Sequence, residues 1–250
     1  MSNLKEAIKG VFGRKALTSG ASTETVSLQY TPLLLDQLHA NYDVKLLADL
    51  SGPIRAEVKK YCEDRHVRPI DLAFVGAQIL APKQSSPLKD SFCIFFPIYR
   101  GGVTVAGWTR PFGGNTKWLA VGMSDGNGSL LYTTALPDWA FNATHKNSGE
   151  SPLILVEGVM DAIRLNKAGH LGVALGGKNI TAKGRAELIA MPQQMITIFL
   201  DKDAQKEAVQ LMQKVQVFKK EVRMIIWPSD VVGKDPAELD DSTLKEMLNG

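Results

Sequence analysis

Short apolar runs alternate with helical patterns in the second half of the chain. Apolar residues recur every three or four positions in the helical segments, whereas each apolar run has the short length of a buried β-strand. Strands that alternate with helices in this way predict a parallel sheet with right-handed crossovers. The predicted strands are Leu153–Val156, Leu171–Leu175, Met195–Leu200 and Glu221–Trp227, and the predicted helices are Val159–Ala168, Thr181–Ala190 and Ala204–Lys219.

The first half of the chain has a mixed pattern. Leucines at helical spacing are followed by a boundary at Ser51-Gly-Pro, two further helices and then a run of β-branched and aromatic residues around an Arg-Gly-Gly turn. The predicted segments are one or two short helices within residues 31–50, helices at Ile54–Arg65 and from Pro69, a hairpin of Phe92–Tyr99 and Val103–Arg110, and a strand at 117–121.

These patterns divide the chain into four predicted parts. Residues 1–50 are an N-terminal segment, partly flexible and with short helices, and residues 51–148 are an α+β subdomain. Residues 149–240 are an α/β domain, and residues 241–250 are a C-terminal tail. The predicted fold class is therefore α/β, with a Rossmann-like four-stranded parallel sheet preceded by a mixed α+β subdomain.

Carboxylates follow two of the predicted parallel strands. Glu157 ends the first strand and Asp161 lies on the first turn of the next helix, while Asp201 and Asp203 follow the third strand. Open α/β sheets bind their ligands at this edge, so we expect the acids to converge there. Oxygen ligands without histidine or cysteine favour Mg²⁺ or Mn²⁺. The second strand ends in Gly176-Gly177, which lets a phosphate approach closely.

The same acids have a structural alternative. Acids at strand ends also cap the next helix, and a single Asp-x-Asp is common in proteins. Their occurrence on two strands of one parallel sheet favours the metal site.

Composition sets limits on the class of protein. The 250 residues are 44% hydrophobic and 22% charged, with a net charge of +3, as in an ordinary globular protein. Two distant cysteines exclude a four-cysteine zinc ribbon and make a reducing cytoplasm the expected location. No apolar run approaches eighteen residues, and the first twenty residues have no apolar segment of the kind found in signal peptides. We therefore expect no zinc and no membrane association.

Three motifs together resemble the TOPRIM domain of topoisomerases, bacterial-type primases, repair proteins and some nucleases. They are Glu157-Gly-Val-Met-Asp161, the glycine-containing Gly172–Gly177 and Asp201-Lys-Asp203. The first is similar to the primase form, Glu-Gly-Tyr-Met-Asp. Further segments of residues 54–240 resemble the primase core in order and spacing: Tyr61–Arg65, Phe96-Pro-Ile98, Gly107–Arg110, Thr116–Leu119, Leu131-Tyr132 and Gly233–Pro236.

The resemblance implies roles for the acids. Glu157 would be the acid closest to the chemistry, as a metal ligand or a general base. Asp201 and Asp203 would bind divalent ions, and Asp235 would complete the cluster. Asp161 is expected to orient groups around the site and not to bind metal directly.

The resemblance also implies a basic channel for template, primer or nucleotide phosphates. Arg65, Arg110 and Lys117 would line it, and Gly176 and Gly177 would lie beside it. Lys202 departs from the family pattern, which has glycine between the two aspartates; its side chain either contacts a phosphate or faces solvent. The acidic residue that usually follows Asp235-Pro236 is also replaced, by Ala237.

The implied function is that of a primase catalytic core: a nucleotidyltransferase that makes short RNA primers on single-stranded DNA from ribonucleoside triphosphates. The alternatives are a metal-dependent TOPRIM nuclease and a non-catalytic nucleic-acid-binding or regulatory module. A core without zinc or helicase domains is typical of a phage or mobile-element protein. Its expected partners are a replicative helicase or a separate zinc-bearing protein that recognises template.

Overall fold

Two β-sheets and six α-helices make up the described part of this computed structural model. The structure describes residues 38–40, 42–83, 92–100, 103–112, 119–123, 130–133, 141–142, 152–218 and 221–249.

The first sheet is antiparallel and its six strands are neighbours in chain order. Two helices lie between its first two strands, at Gly52–Glu63 (α1) and Pro69–Phe74 (α2). The predicted hairpin is confirmed, because β3 and β4 pair antiparallel along most of their length. The strands are Tyr42–Leu46 (β1), Gln78–Pro82 (β2), Cys93–Arg100 (β3), Val103–Pro111 (β4), Leu119–Met123 (β5) and Leu130–Thr133 (β6).

The second sheet has five strands in the order β11-β10-β8-β9-β7. Four of them are parallel, and the short β7 pairs antiparallel with β9 at the edge. The strands are Phe141–Asn142 (β7), Leu153–Val156 (β8), Leu171–Ala174 (β9), Met195–Ile198 (β10) and Glu221–Met224 (β11), and the helices are Val159–Lys167 (α3), Ala182–Ala190 (α4), Gln205–Val215 (α5) and Asp241–Asn249 (α6). The predicted fold class is confirmed.

Sequence patterns explain why these segments form. All four residues of β8 and of β9 are buried, as expected for strands covered on both faces of a parallel sheet. Thr181 caps α4, since its hydroxyl oxygen accepts a hydrogen bond from the Gly184 N–H at 3.0 Å.

Two local predictions are wrong. Residues 42–46 form a strand and not a helix, because Tyr42, Val44 and Leu46 have a period of two and the segment pairs with β2. Residues 241–249 form a helix and not a tail, because Leu244 and Leu248 are buried in the core. The antiparallel sheet thus begins before residue 51, while the four domain boundaries remain predictions.

One hydrophobic core joins the two sheets. It includes Val58 of α1, Trp108 of β4, Ile154 of β8 and Ile163 of α3. Two ion pairs also connect the two parts, Arg65 with Asp235 and Arg100 with Glu187. The basic groups of the first part are therefore held close to the parallel sheet. No helix among the described residues combines the length and apolar character needed to cross a bilayer.

Gly172 allows β9 and α3 to pack closely, so we expect Gly172→Ala to destabilise the fold. A Cβ at this position would lie 2.7 Å from the carbonyl oxygen of Ala162 and 2.8 Å from its Cα, both backbone atoms that cannot rotate away. We expect a loss of about 1–3 kcal/mol in the free energy of unfolding, measured by urea denaturation. Gly169→Ala is a poor control because Gly169 has a φ of +88°, so Ala190→Gly on the exposed end of α4 serves instead. An unchanged midpoint for Gly172→Ala would contradict the close packing.

Candidate metal centre

Two neighbouring parallel strands bring Glu157 and Asp201 together. Strand β8 pairs with β10, and the ladder continues beyond β10 through a hydrogen bond from the Phe199 N–H to the Leu155 carbonyl at 2.8 Å. The Asp201 N–H then donates to Oε1 of Glu157 at 3.2 Å. The sheet edge thereby orients one acid against the backbone of the other.

Three carboxylates form a compact cluster at this edge. One oxygen each from Glu157, Asp201 and Asp203 lies within 4.8 Å of the others. Oδ1 of Asp201 is buried and has no hydrogen-bond partner among the described residues, which is costly for a carboxylate oxygen unless a cation lies beside it. Oxygen donors at these separations fit a hard divalent cation such as Mg²⁺ or Mn²⁺.

Burial and mutual repulsion disfavour the ionised state of the cluster. Burial, followed by the charges of Glu157, Asp235 and Asp203, raises the pKa of Asp201 to about 7. Burial also raises the pKa of Glu157, although the backbone N–H of Asp201 and the charge of Lys178 oppose this effect. Both shifts are what acids show when they share a confined site without a compensating cation.

Asp161 is a buried acid that connects two segments of the chain next to the cluster. Its carboxyl group is buried and accepts hydrogen bonds from the Gly158 N–H and the Ala237 N–H, both at 3.0 Å. Burial and the charges of Asp235 and Asp201 raise its pKa well above the ordinary value. Asp161 therefore connects the start of α3 to the loop that carries Asp235, and it is not one of the three clustered acids.

Asp235 lies at the junction with the first part of the chain. It forms an ion pair with Arg65 of the α1 C-terminal turn, and its Oδ1 accepts from the Glu238 N–H at 3.0 Å. Its charge contributes to the raised pKa of both Asp161 and Asp201, which indicates that it lies close to the cluster.

Lys202 contacts the loop before Asp235. Its Nζ donates to the carbonyl oxygens of Val231 at 2.7 Å and Ser229 at 3.3 Å, and its backbone N–H donates to the Lys234 carbonyl at 2.8 Å. The ammonium group of Lys202 therefore forms hydrogen bonds with carbonyl oxygens of this loop.

The double glycine shapes the end of β9. Gly176 has a φ of +77°, which a residue with a side chain rarely adopts, and its N–H donates to the Glu157 carbonyl at 2.9 Å. Gly177 is half-buried next to it. This turn directs the following residue, Lys178, toward Asp203, with Nζ 3.0 Å from Oδ1. The sequence analysis missed Lys178, although its position directly after the double glycine was a usable signal.

Two arginines and a tyrosine of the first part of the chain lie together near the loop that carries Asp235. The Arg110 guanidinium lies 5.8 Å from the centre of the Tyr61 ring. Burial raises the pKa of Tyr61, the charges of Arg65 and Arg110 oppose this, and Asp161 adds to it. Tyr61 therefore lies between the basic and acidic groups. Lys117, the third predicted basic residue, lies outside the described residues.

Arg164 is a second residue that the sequence analysis missed. Its side chain is 1% exposed, and Nη2 donates to the Leu239 carbonyl at 3.2 Å and to Asp241. It lies one helical turn after Asp161, so the two residues hold successive parts of the same loop. A charged residue in a helical pattern normally faces solvent, and the sequence contains no signal to the contrary.

A comparison with protein-family models matches residues 154–239 to the Toprim-like family. These residues form a Toprim-like domain. The match includes all three clustered acids, Asp161 and Asp235, so the predicted resemblance is confirmed for this part of the chain. No curated protein matches the sequence.

Two solved structures are similar in fold to this chain over more residues than the Toprim-like family model matches. The zinc-binding and RNA polymerase domains of the Aquifex aeolicus primase are 19% identical, with a TM-score of 0.59 over 77% of this chain and 54% of that one. A chain from the bacteriophage T7 lagging-strand DNA polymerase complex with primase domains of two gp4 subunits is 16% identical, with a TM-score of 0.51 over 75% and 87%. The chain thus spans about half the length of the Aquifex protein, and the Toprim-like domain together with the antiparallel sheet has a primase-like fold.

Proposed function

We propose that this chain is a primase catalytic core that joins ribonucleotides on a single-stranded DNA template. The observation that carries the proposal is the three-acid cluster, in which Oδ1 of Asp201 has no hydrogen-bond partner among the described residues, together with the nearby ion pair of Asp235 and Arg65. Clustered carboxylates that hold a cation, with an arginine nearby, suit a reaction between a hydroxyl group and a nucleoside triphosphate.

The acids and the basic residues would have separate roles in nucleotidyl transfer. Glu157, Asp201 and Asp203 would hold the divalent cation, which supplies positive charge to phosphate oxygens during nucleotidyl transfer. We propose Glu157 as either a ligand of this cation or the group that accepts the proton of the attacking 3′-hydroxyl. Arg65 and Arg110 would bind phosphates of template or nucleotide, and Lys117 is proposed to extend this basic surface.

We further propose a setting for this activity. The partners would be a replicative helicase or a separate zinc-bearing protein that recognises the template, in a phage-infected or bacterial cytoplasm. This part of the proposal is supported by the primase-like fold.

Incorporation of labelled ribonucleotides on single-stranded DNA tests the proposal. With Mg²⁺ or Mn²⁺ we expect the wild-type protein to make short oligoribonucleotides. Glu157→Gln should lower the rate at least about 100-fold, because the amide can neither accept the proton nor match the charge of a carboxylate ligand.

Asp230→Asn, an exposed acid outside the cluster, is the matched control and should retain full activity. Failure of the wild-type protein to make any product, even with helicase and template-recognition proteins added, would refute the primase proposal. Metal-dependent degradation of the template without synthesis would show a nuclease instead.

A further inference from the structure

A groove lies between α4 and the C-terminal half of α5. It has a volume of about 380 Å³. Two of its lining residues are cations, two are amides and none is acidic, while Val217 at its far end is 65% exposed. The lining residues are Arg185, Gln210, Gln213, Lys214, Val217 and Phe218.

Two consecutive residues connect this groove to the cluster. Lys178 Nζ contacts Asp203 at 3.0 Å, and the next side chain, Asn179, accepts a hydrogen bond from Lys214 Nζ at 3.2 Å. The consecutive residues Lys178 and Asn179 therefore connect Asp203 of the acid cluster to Lys214 of the groove.

The groove also follows the direction of α5. This helix begins two residues after Asp203, and Gln210, Lys214 and Val217 recur at the spacing of a single helical face. At 1.5 Å per residue, the face from Gln210 to Val217 is about 10 Å long. A path of this length accommodates a dinucleotide step of an extended strand.

We propose that this groove binds the phosphodiester backbone of a single strand of nucleic acid as it enters or leaves the acid cluster. Arg185 and Lys214 would contact phosphates, and the amides of Gln210 and Gln213 would donate hydrogen bonds to phosphate or sugar oxygens. The ring of Phe218 provides a surface on which a base can stack. The inference rests on the proposed function only in that the acid cluster acts on nucleic acid.

Fluorescence anisotropy tests the groove separately from catalysis. A labelled DNA 20-mer and the corresponding RNA are titrated with the full chain in EDTA, so that binding does not depend on metal. We expect Arg185→Glu with Lys214→Glu to weaken binding at least about 10-fold and to reduce the slope of log affinity against log salt by about 1.4, which corresponds to two single-strand phosphate contacts. The milder Arg185→Ala with Lys214→Ala should show the same slope change.

Lys245→Glu with Lys206→Glu, an exposed pair of lysines outside the groove lining, gives the same change in net charge. Weakening for DNA alone identifies a template path, and weakening for RNA alone a product path. The inference is overturned if the groove variants bind both strands as the wild type does, if the control pair weakens binding equally, or if the wild type binds neither strand. Because the readout is binding, loss of synthesis in Glu157→Gln with unchanged binding in the groove variants refutes the groove and leaves the proposed function standing.

Discussion

Asp201→Asn should abolish nucleotide incorporation and at the same time stabilise the metal-free protein. A neutral amide at this position loses a charged ligand of the cation, and we expect at least about a 1,000-fold lower rate. The substitution also removes the repulsion of the Asp201 charge by Glu157 and Asp203. A pKa raised from 3.8 to about 7 corresponds to roughly 4 kcal/mol, which partial exposure to solvent reduces to about 2 kcal/mol.

The pH dependence follows from the direction of the shift. A raised pKa means that the folded state holds the proton more tightly than the unfolded state, so the stability from this group is complete below the unfolded pKa, near 4. This contribution is lost as the pH rises through about 7. In EDTA, Asp201→Asn should therefore unfold at a higher temperature than the wild type at pH 8, and the difference should vanish near pH 4.

Addition of Mg²⁺ should reverse the order of stability. The cation stabilises a folded state that binds it, so the wild-type melting temperature should rise with Mg²⁺ concentration while that of Asp201→Asn should not. Asp230→Asn is the control and should respond like the wild type. A wild-type melting temperature that changes with neither Mg²⁺ nor Mn²⁺ would contradict the metal centre.

Asp161→Ala should have the largest effect on stability. It leaves the Gly158 and Ala237 N–H groups without acceptors and opens a cavity at a buried position. With about 1–3 kcal/mol for each buried unsatisfied group, we expect a loss of about 3 kcal/mol in the free energy of unfolding, measured by urea denaturation. Activity should also fall, because the loop that carries Asp235 loses one of its attachments.

Asp161→Asn separates hydrogen bonding from volume. The amide keeps one acceptor oxygen but presents an NH₂ group to the second N–H. It also removes a charge that burial and Asp235 disfavour, so the loss should be smaller than that of the alanine variant. Asp230→Ala, an exposed acid, should change stability by less than about 0.5 kcal/mol. Equal, small losses for all three variants would show that Asp161 does not hold the loop.

Local patterns in the sequence were sufficient to predict most of the helices and strands. The hairpin of β3 and β4 was predictable because its strands have the composition of strands and flank a turn. The error at 42–46 arose because five residues contain both a period of two and part of a helical leucine pattern, and the pairing with β2 decides between them. The helix at 241–249 was missed because its burial depends on a core formed by distant residues.

Local sequence patterns were enough to predict that Glu157, Asp201 and Asp203 share one edge of a parallel sheet, since each follows a buried strand and side chains at the ends of such strands converge. Only the tertiary structure showed that Lys202 contacts the loop, that Lys178 pairs with Asp203 and that Arg65 pairs with Asp235. Backbone periodicity predicts the face on which a side chain begins. The position of the charged group at the end of a long side chain depends on which distant carbonyls and carboxylates lie within its reach.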